Sequence, residues 1–282
     1  MMDEIAATRR AYAEDLRSRA GLRSQALVAA FAAVPRERFA GPPPWRIKNP
    51  SEFVDFWTVT GSDPRPLYQD VLVALDRGRG INNGQPSLWA QVFDRLDLRP
   101  AMTIVHLGCG TGYYTAILAE VAGPDAPITA IEIEPDIAAR AREALAPWPQ
   151  ARVIAGDGAQ MALPHADLVV ASAGATHPLA LWLDALVPGG QLLFPMTSDY
   201  GPGAMLLVTR RAEGGYRAEF LCGAAFIAFV GARDAAVGRR LAAALSRDGG
   251  EPVRSLRRDE HRPDASCWLH GQGWCLSRLE PG

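Results

Sequence analysis

The segment Ile104-Val105-His106-Leu107-Gly108-Cys109-Gly110-Thr111-Gly112 joins four buried-type residues to a run of helix formers through three alternating glycines. A strand that enters a helix directly across such a turn has its backbone bare at the carboxyl end of the strand. There a ligand can approach without meeting a Cβ. Beyond the loop, helix and strand patterns alternate. Thr111 to Val121 reads as a helix, Pro127 to Ile133 as a strand, and Pro135 takes the first turn of a helix reaching about Ala146. Further strands are expected at Arg152–Ala155, Asp167–Ala171 and Gln191–Pro195. This pattern predicts an α/β fold, doubly wound, with a mostly parallel sheet.

Around that core the pattern differs. Residues 3–33 read as two helical pieces interrupted at Gly21, the second presenting Leu27, Val28 and Phe31 before Pro35 stops it. Residues 41–53 carry too many prolines and turn formers for regular structure and are expected to be a connection. Leu88, Val92 and Leu96 then recur at helical spacing. Beyond the alternation, Ala204–Arg211 and Tyr216–Leu221 flank Glu213-Gly214-Gly215 as an antiparallel hairpin, and residues 234–247 form a helix capped by Asp234. The tail SCWLHGQGWCLS reads as a second hairpin; a register centred on Gly271 sets Cys267 opposite Cys275 and Trp268 opposite Trp274, an apolar pairing. The expected divisions are 1–86, 87–233 and 234–282.

The net charge of −2 over 282 residues gives no electrostatic footprint for nucleic acid, and short arginine pairs lie scattered among acids. Lys48 is the sole lysine. The four cysteines form no C-x-x-C pair, so no metal site is expected and a reduced, cytoplasmic compartment is the default. The charged N-terminus has no apolar stretch of a secretory signal, and no segment is long enough in apolar residues for a membrane span.

The glycine loop is of the G-x-G-x-G form. A dinucleotide site prefers G-x-G-x-x-G, and here Tyr113 stands where its third glycine belongs. The shorter spacing suits a cofactor without a pyrophosphate, S-adenosyl-L-methionine. Gly108, Cys109, Gly110 and Gly112 would approach it. Glu132, ending the next strand beside Ile133, would accept from the ribose hydroxyls; Asp157, followed by Gly158, would accept from the adenine amino group. His106 stands where such loops usually carry an acid and reads as a satisfied core histidine. ASAG at 171–174 lacks the Asn/Asp-Pro-Pro-aromatic element of enzymes that methylate exocyclic amines.

Together with VPRERF (34–39), LDRGRGINNGQP (75–86), IEIEPDIAARARE, GDG (156–158), LVPGGQLLFPM (186–196) and CGAAFIAFVG (222–231), this loop resembles the protein-L-isoaspartate O-methyltransferase family from roughly residue 9 to residue 233. The resemblance implies a seven-stranded methyltransferase sheet with an N-terminal helical segment, and leaves 234–282 as a C-terminal α+β extension. It implies carboxyl O-methylation of an isoaspartyl or aspartyl-type protein or peptide. Alternatives are a small-molecule methyl acceptor carrying a hydroxyl or amine, or a non-catalytic cofactor-binding homologue. The extension is a candidate surface for a homo-oligomer.

The family's serine beside the methyl donor is absent. Aligned on Pro86, Gly84 takes its place, after Asn83; aligned on Ile81, Asn82 does. A carboxylate nucleophile needs no base, so the missing hydroxyl is a positioning group. Asn82, Gly84 and Gln85 are the substrate-positioning candidates. Asn83, as a possible amide donor, and His177, as a base or as the cap of a helix starting at Pro178, are the catalytic candidates.

Overall fold

The computed structural model describes residues 2–50 and 55–282, so residues 51–53 of the expected connection lie outside the described residues. The chain divides into two compact units, Met1–Met102 with Cys109–Ala155, and Thr103–Gly108 with Gly156–Gly282.

In the first unit, helices α1 (Met2–Ala20) and α2 (Gln25–Ala33) are separated at Gly21, as the sequence suggests. Ser24 caps α2 by accepting from the Leu27 amide at 3.3 Å, and Leu27, Val28 and Phe31 are buried. A short α3 (Glu37–Ala40) leads into β1 (Trp45–Lys48), which pairs antiparallel with β2 (Trp57–Val59) and β3 (Leu72–Asp76); β3 also pairs with β4 (Ile81–Asn82). The strand β1 corrects the expectation of an irregular connection. Its prolines flank the strand instead of interrupting it, and Trp45 and Ile47 alternate inward with Arg46 and Lys48 between them. Helix α4 (Pro86–Phe93) buries Trp89, Val92 and Phe93. Helix α5 (Tyr113–Ala122), strand β6 (Ile128–Glu132), helix α6 (Pro135–Ala144) and strand β7 (Ala151–Ala155) come next, with β6 and β7 parallel. Pro135 occupies the first turn of α6.

The second unit contains β5 (Ile104–Leu107), β8 (Ala166–Ala171), α7 (Ala180–Asp184), β9 (Leu186–Met196), β10 (Ala204–Arg210), β11 (Tyr216–Gly223), α8 (Ala235–Asp248), β12 (Ser255–Arg257), β13 (Cys267–Gly271) and β14 (Trp274–Ser277). Its strands run in the order β13-β14-β12-β11-β10-β9-β8-β5. Pairs β5–β8 and β8–β9 are parallel; from β9 outward the neighbouring strands pair antiparallel. Strands β5 and β8 to β11 are those the second unit contributes to the expected α/β pattern, and β12, β14 and β13 prolong its sheet beyond β11. Asp234 caps α8 by accepting from the Val237 amide at 2.8 Å, as its position predicts.

The tail hairpin forms, in another register. His270 lies opposite Cys275 and Gly271 opposite Trp274, while a bulge between Cys267 and Leu269 sets Cys267 opposite Ser277. The expected Cys267–Cys275 and Trp268–Trp274 pairings are therefore corrected. The turn sits at Gln272-Gly273, with Gly273 at φ +74°, just beyond the expected centre at Gly271. Among the described residues no helix is long and apolar enough to cross a membrane.

Candidate functional site

Gly108, Gly110 and Gly112 all take positive φ. Gly112 is the position where this is obligatory: at φ +93° it precedes α5, and an added Cβ would stand 2.6 Å from Leu145 Cδ1. In the first unit the Cys109 amide donates to the Ile131 carbonyl at 3.1 Å, tying the loop to β6. Glu132 ends that strand 6% exposed and accepts from the amides of Gly110 (2.8 Å) and Glu134 (3.1 Å). Burial raises its carboxyl above the ordinary range, against the pull of those amides. A carboxylate has about four lone-pair positions, so these bonds do not exhaust it. Ile133 is exposed beside it. Cys109 is buried, which pushes its thiol upward and away from nucleophilic chemistry.

The segment before α4 lies in the same unit. Arg79 holds it by ion pairs to Asp76 (2.7 Å), Glu134 (2.5 Å) and Asp136 (2.6 Å). Asn82 accepts the Gly84 amide at 2.9 Å in a side-chain turn. Asn83 is buried; its Oδ1 accepts from the Val73 amide at 2.9 Å and from Arg36 at 3.4 Å, while its Nδ2 has no hydrogen-bond partner among the described residues. Gly84 has φ +73°, and a Cβ there would meet Trp89 Nε1 at 2.6 Å. Its carbonyl accepts from Tyr114 Oη at 3.2 Å. Gln85 donates to Asp70 at 2.8 Å, and Asp70 also accepts the Ser87 amide (2.8 Å) and hydroxyl (2.7 Å). Asp70 thus caps α4 from a distance, a contact no local pattern announces.

Arg36 is the functional-looking side chain that sequence reasoning left without a role. It is fully buried, and its guanidinium donates to the carbonyls of Leu67 (2.5 Å), Gln69 (2.9 Å) and Val71 (2.5 Å). With the cation 5.7 Å from the Tyr113 ring centroid, it braces the strand that receives Asn83. Its only visible signal is its place as the first of two arginines within VPRERF.

In the second unit, Asp157 turns its own loop by accepting from the Ala159 amide (2.8 Å) and Gln160 Nε2 (2.7 Å). The Gly158 carbonyl accepts from Trp182 Nε1 at 2.8 Å, and a Cβ on Gly158 would press on Leu107 at 3.1 Å and Phe229 at 3.3 Å. His106 is fully buried in β5 with Nε2 2.7 Å from Ser172 Oγ; burial lowers its pKa to about 3, so it is a neutral core group, as its sequence context suggests.

His177 lies after β8 and is half-buried. Its Nδ1 is 2.9 Å from Thr176 Oγ1, and its ring stacks on Trp274 at 6.2 Å and 11°. Burial lowers its pKa, opposed by the Asp234 charge. The helix-cap reading is corrected: α7 starts at Ala180, with Leu179 at the cap position and no side-chain cap bond. Thr176 instead receives the Asp234 amide at 2.9 Å, and Arg233 donates to the Gly174 carbonyl (3.0 Å), fixing the loop.

A doubly wound sheet with a G-x-G-x-G loop after its first strand and an acid ending the next defines an S-adenosylmethionine-dependent methyltransferase. The model of the protein-L-isoaspartate(D-aspartate) O-methyltransferase family matches residues 59–234. A protein-L-isoaspartate O-methyltransferase of Methanothermobacter thermautotrophicus is 30% identical over 236 residues, covering 82% of this chain and 97% of the relative. One from Methanopyrus kandleri is 29% identical, covering 77% and 89%. Among solved structures, a protein-L-isoaspartate O-methyltransferase superposes with a TM-score of 0.65 at 20% identity, covering 89% of this chain and 72% of the other. A Plasmodium falciparum structure described as such an enzyme in complex with S-adenosyl-L-homocysteine gives 0.61 at 17%, covering 79% and 98%. The chain belongs to the protein-L-isoaspartate(D-aspartate) O-methyltransferase family.

Proposed function

We propose that this enzyme transfers the methyl group of S-adenosyl-L-methionine to a carboxylate of isoaspartyl or aspartyl type in a protein or peptide. The observation that carries the reading is the family match through residues 59–234, which includes the Glu132 strand end and the 75–86 segment. The chemistry agrees with it. A carboxylate is ionised at neutral pH and attacks the sulfonium methyl in line, so the protein has to orient and desolvate instead of removing a proton. Glu132 is the proposed ribose acceptor through its remaining lone pairs, with Gly108 to Gly112 and Ile133 against the cofactor, and Asp157 and Gly158 at the adenine.

In place of the family serine, Asn83 Nδ2 is the proposed donor to the substrate carboxylate, being a buried amide that lacks a partner among the described residues. Asn82 and Gln85 are occupied by the Gly84 amide and by Asp70, and act by shaping the turn. His177 is reserved for a second reading, a hydroxyl or amine acceptor, which its lowered basicity disfavours.

The test is transfer of labelled methyl from S-adenosylmethionine to an isoaspartyl peptide and its aspartyl counterpart. The expected product is an ester hydrolysed by mild base. Methyl incorporation that survives mild base would refute the carboxylate reading.

A further inference from the structure

The corrected register of the β13–β14 hairpin has a chemical result. It sets His270 directly opposite Cys275, and the bulge after Cys267 brings a second thiol alongside. A third element, the loop before β13, supplies His261. One donor atom from each of His261, Cys267, His270 and Cys275 lies within 4.8 Å of the others. In sequence they read His-x5-Cys-x2-His-x4-Cys.

The surroundings of the four are those of ligands. His261 Nδ1 is engaged by the Asp259 carbonyl at 3.0 Å and its carboxylate at 3.2 Å, leaving Nε2 to face Cys267 Sγ at 3.4 Å. The His261 and His270 rings meet edge to face at 4.8 Å. His270 Nδ1 is buried with no hydrogen-bond partner among the described residues. Such an atom destabilises the fold unless something binds it. The backbone amide of Asp264 points at Cys267 Sγ from 3.4 Å, a donor suited to a thiolate. Tetrahedral zinc, with bonds of about 2.3 Å to sulfur and about 2.0 Å to nitrogen, requires ligand separations of about 3.3–3.8 Å. The Cys267–His261 edge already has that length.

We propose that His261 Nε2, Cys267, His270 Nδ1 and Cys275 form a closed, four-coordinate structural zinc site in the C-terminal extension. Two thiolates and two imidazoles select zinc over the hard cations, and with four protein ligands no open position is left for catalysis. The site pins both strands of the hairpin and the loop before it. It thereby fixes Trp274, the neighbour of Cys275, against His177. Zinc binding here is independent of methyl transfer and of the substrate reading above.

The full chain, prepared without a metal-binding tag, is measured by elemental mass spectrometry. About one zinc per chain is expected in the wild type and in Cys222→Ser, and loss of most of it in Cys267→Ser and in His270→Ala. As a measurement that does not depend on a variant folding, CoCl2 replaces zinc in the wild-type chain. Intense tetrahedral ligand-field bands with thiolate charge transfer are expected, and they disappear when ZnCl2 is added back. Wild-type protein with roughly a tenth of a zinc or less per chain and only the weak bands of octahedral cobalt would overturn the proposal. So would a Cys267–Cys275 disulfide in freshly purified, non-reduced protein.

Discussion

Restoring the family's serine by Gly84→Ser is expected to damage the enzyme. Gly84 sits at φ +73°, where a residue with a Cβ costs about 1–3 kcal/mol. The new Cβ also meets Trp89 Nε1 at 2.6 Å, and Trp89 is one of the largest fully buried side chains, packed on Phe93 and Tyr114. Forcing atoms into such packing costs about 1–3 kcal/mol, giving about 2–4 kcal/mol together once relaxation is shared. For a chain of this size that corresponds to a fall in Tm of roughly 3–7 °C. Asn82→Ser is the control. A serine hydroxyl can accept the Gly84 amide as Asn82 does, so its expected loss is below about 1 kcal/mol. Both are measured by thermal and urea unfolding, with methyl transfer to an isoaspartyl peptide assayed alongside. If Gly84→Ser is as stable as the wild type and more active, the argument from backbone and Trp89 packing fails, and the serine's site is a simple deletion.

Glu132→Gln is expected to weaken S-adenosylmethionine binding 10–100-fold by calorimetry, the loss of a charged acceptor, while the chain stays folded; unchanged affinity would remove Glu132 from the cofactor site. His106 is held at about 3 against an ordinary 6.5, so its contribution to stability is complete above pH 6.5 and disappears as pH falls toward 3. The slope approaches about 1.4 kcal/mol per pH unit, to a ceiling near 5 kcal/mol, and His106→Gln should flatten it between pH 5 and 6.5 in urea unfolding; an unchanged slope would place the proton uptake elsewhere. Arg36→Met leaves two buried carbonyls and the part-buried one of Gln69 without their donor and should cost about 3 kcal/mol or more, read as a lower urea midpoint; an unaltered midpoint would show that those carbonyls find other partners.

What the sequence disclosed was governed by neighbours along the chain. The turn at Gly112, Pro135 opening α6, and Asp234 capping α8 each answer to chemistry within a few residues, and each stands where expected. The failures needed distant information. Trp45–Lys48 is a strand because Val59 and Val73 stand beside it, and prolines around it hid its alternation. Arg36 meets carbonyls at 67–71, and Asp70 meets Ser87, contacts without a local signature. The tail is the sharpest case. Its hairpin is evident from Gly271 and Gly273, but moving the turn centre from Gly271 to Gln272-Gly273 shifts the pairing and changes the partner of Cys275 from a cysteine to a histidine. A search for paired cysteines passes over donors that only a bulge and a register bring together.

The extension also alters how His177 can act. Residues up to 234 belong to the stretch matched by the family model, and Trp274, which stacks on the His177 ring, comes from beyond it. An apolar ring on one face of an imidazole removes water that would solvate the cation, in line with the downward shift that burial gives His177. Asp234, beginning α8, opposes this with its charge. The imidazole is therefore neutral near pH 7, with Nδ1 engaged by the Thr176 hydroxyl. A neutral ring offers a hydrogen-bonding atom in the loop after β8 without a full charge. Besides the β11–β12 pairing and the Arg258–Asp184 ion pair, the tail thus reaches the family core at His177, through an aromatic contact that depends on the hairpin register.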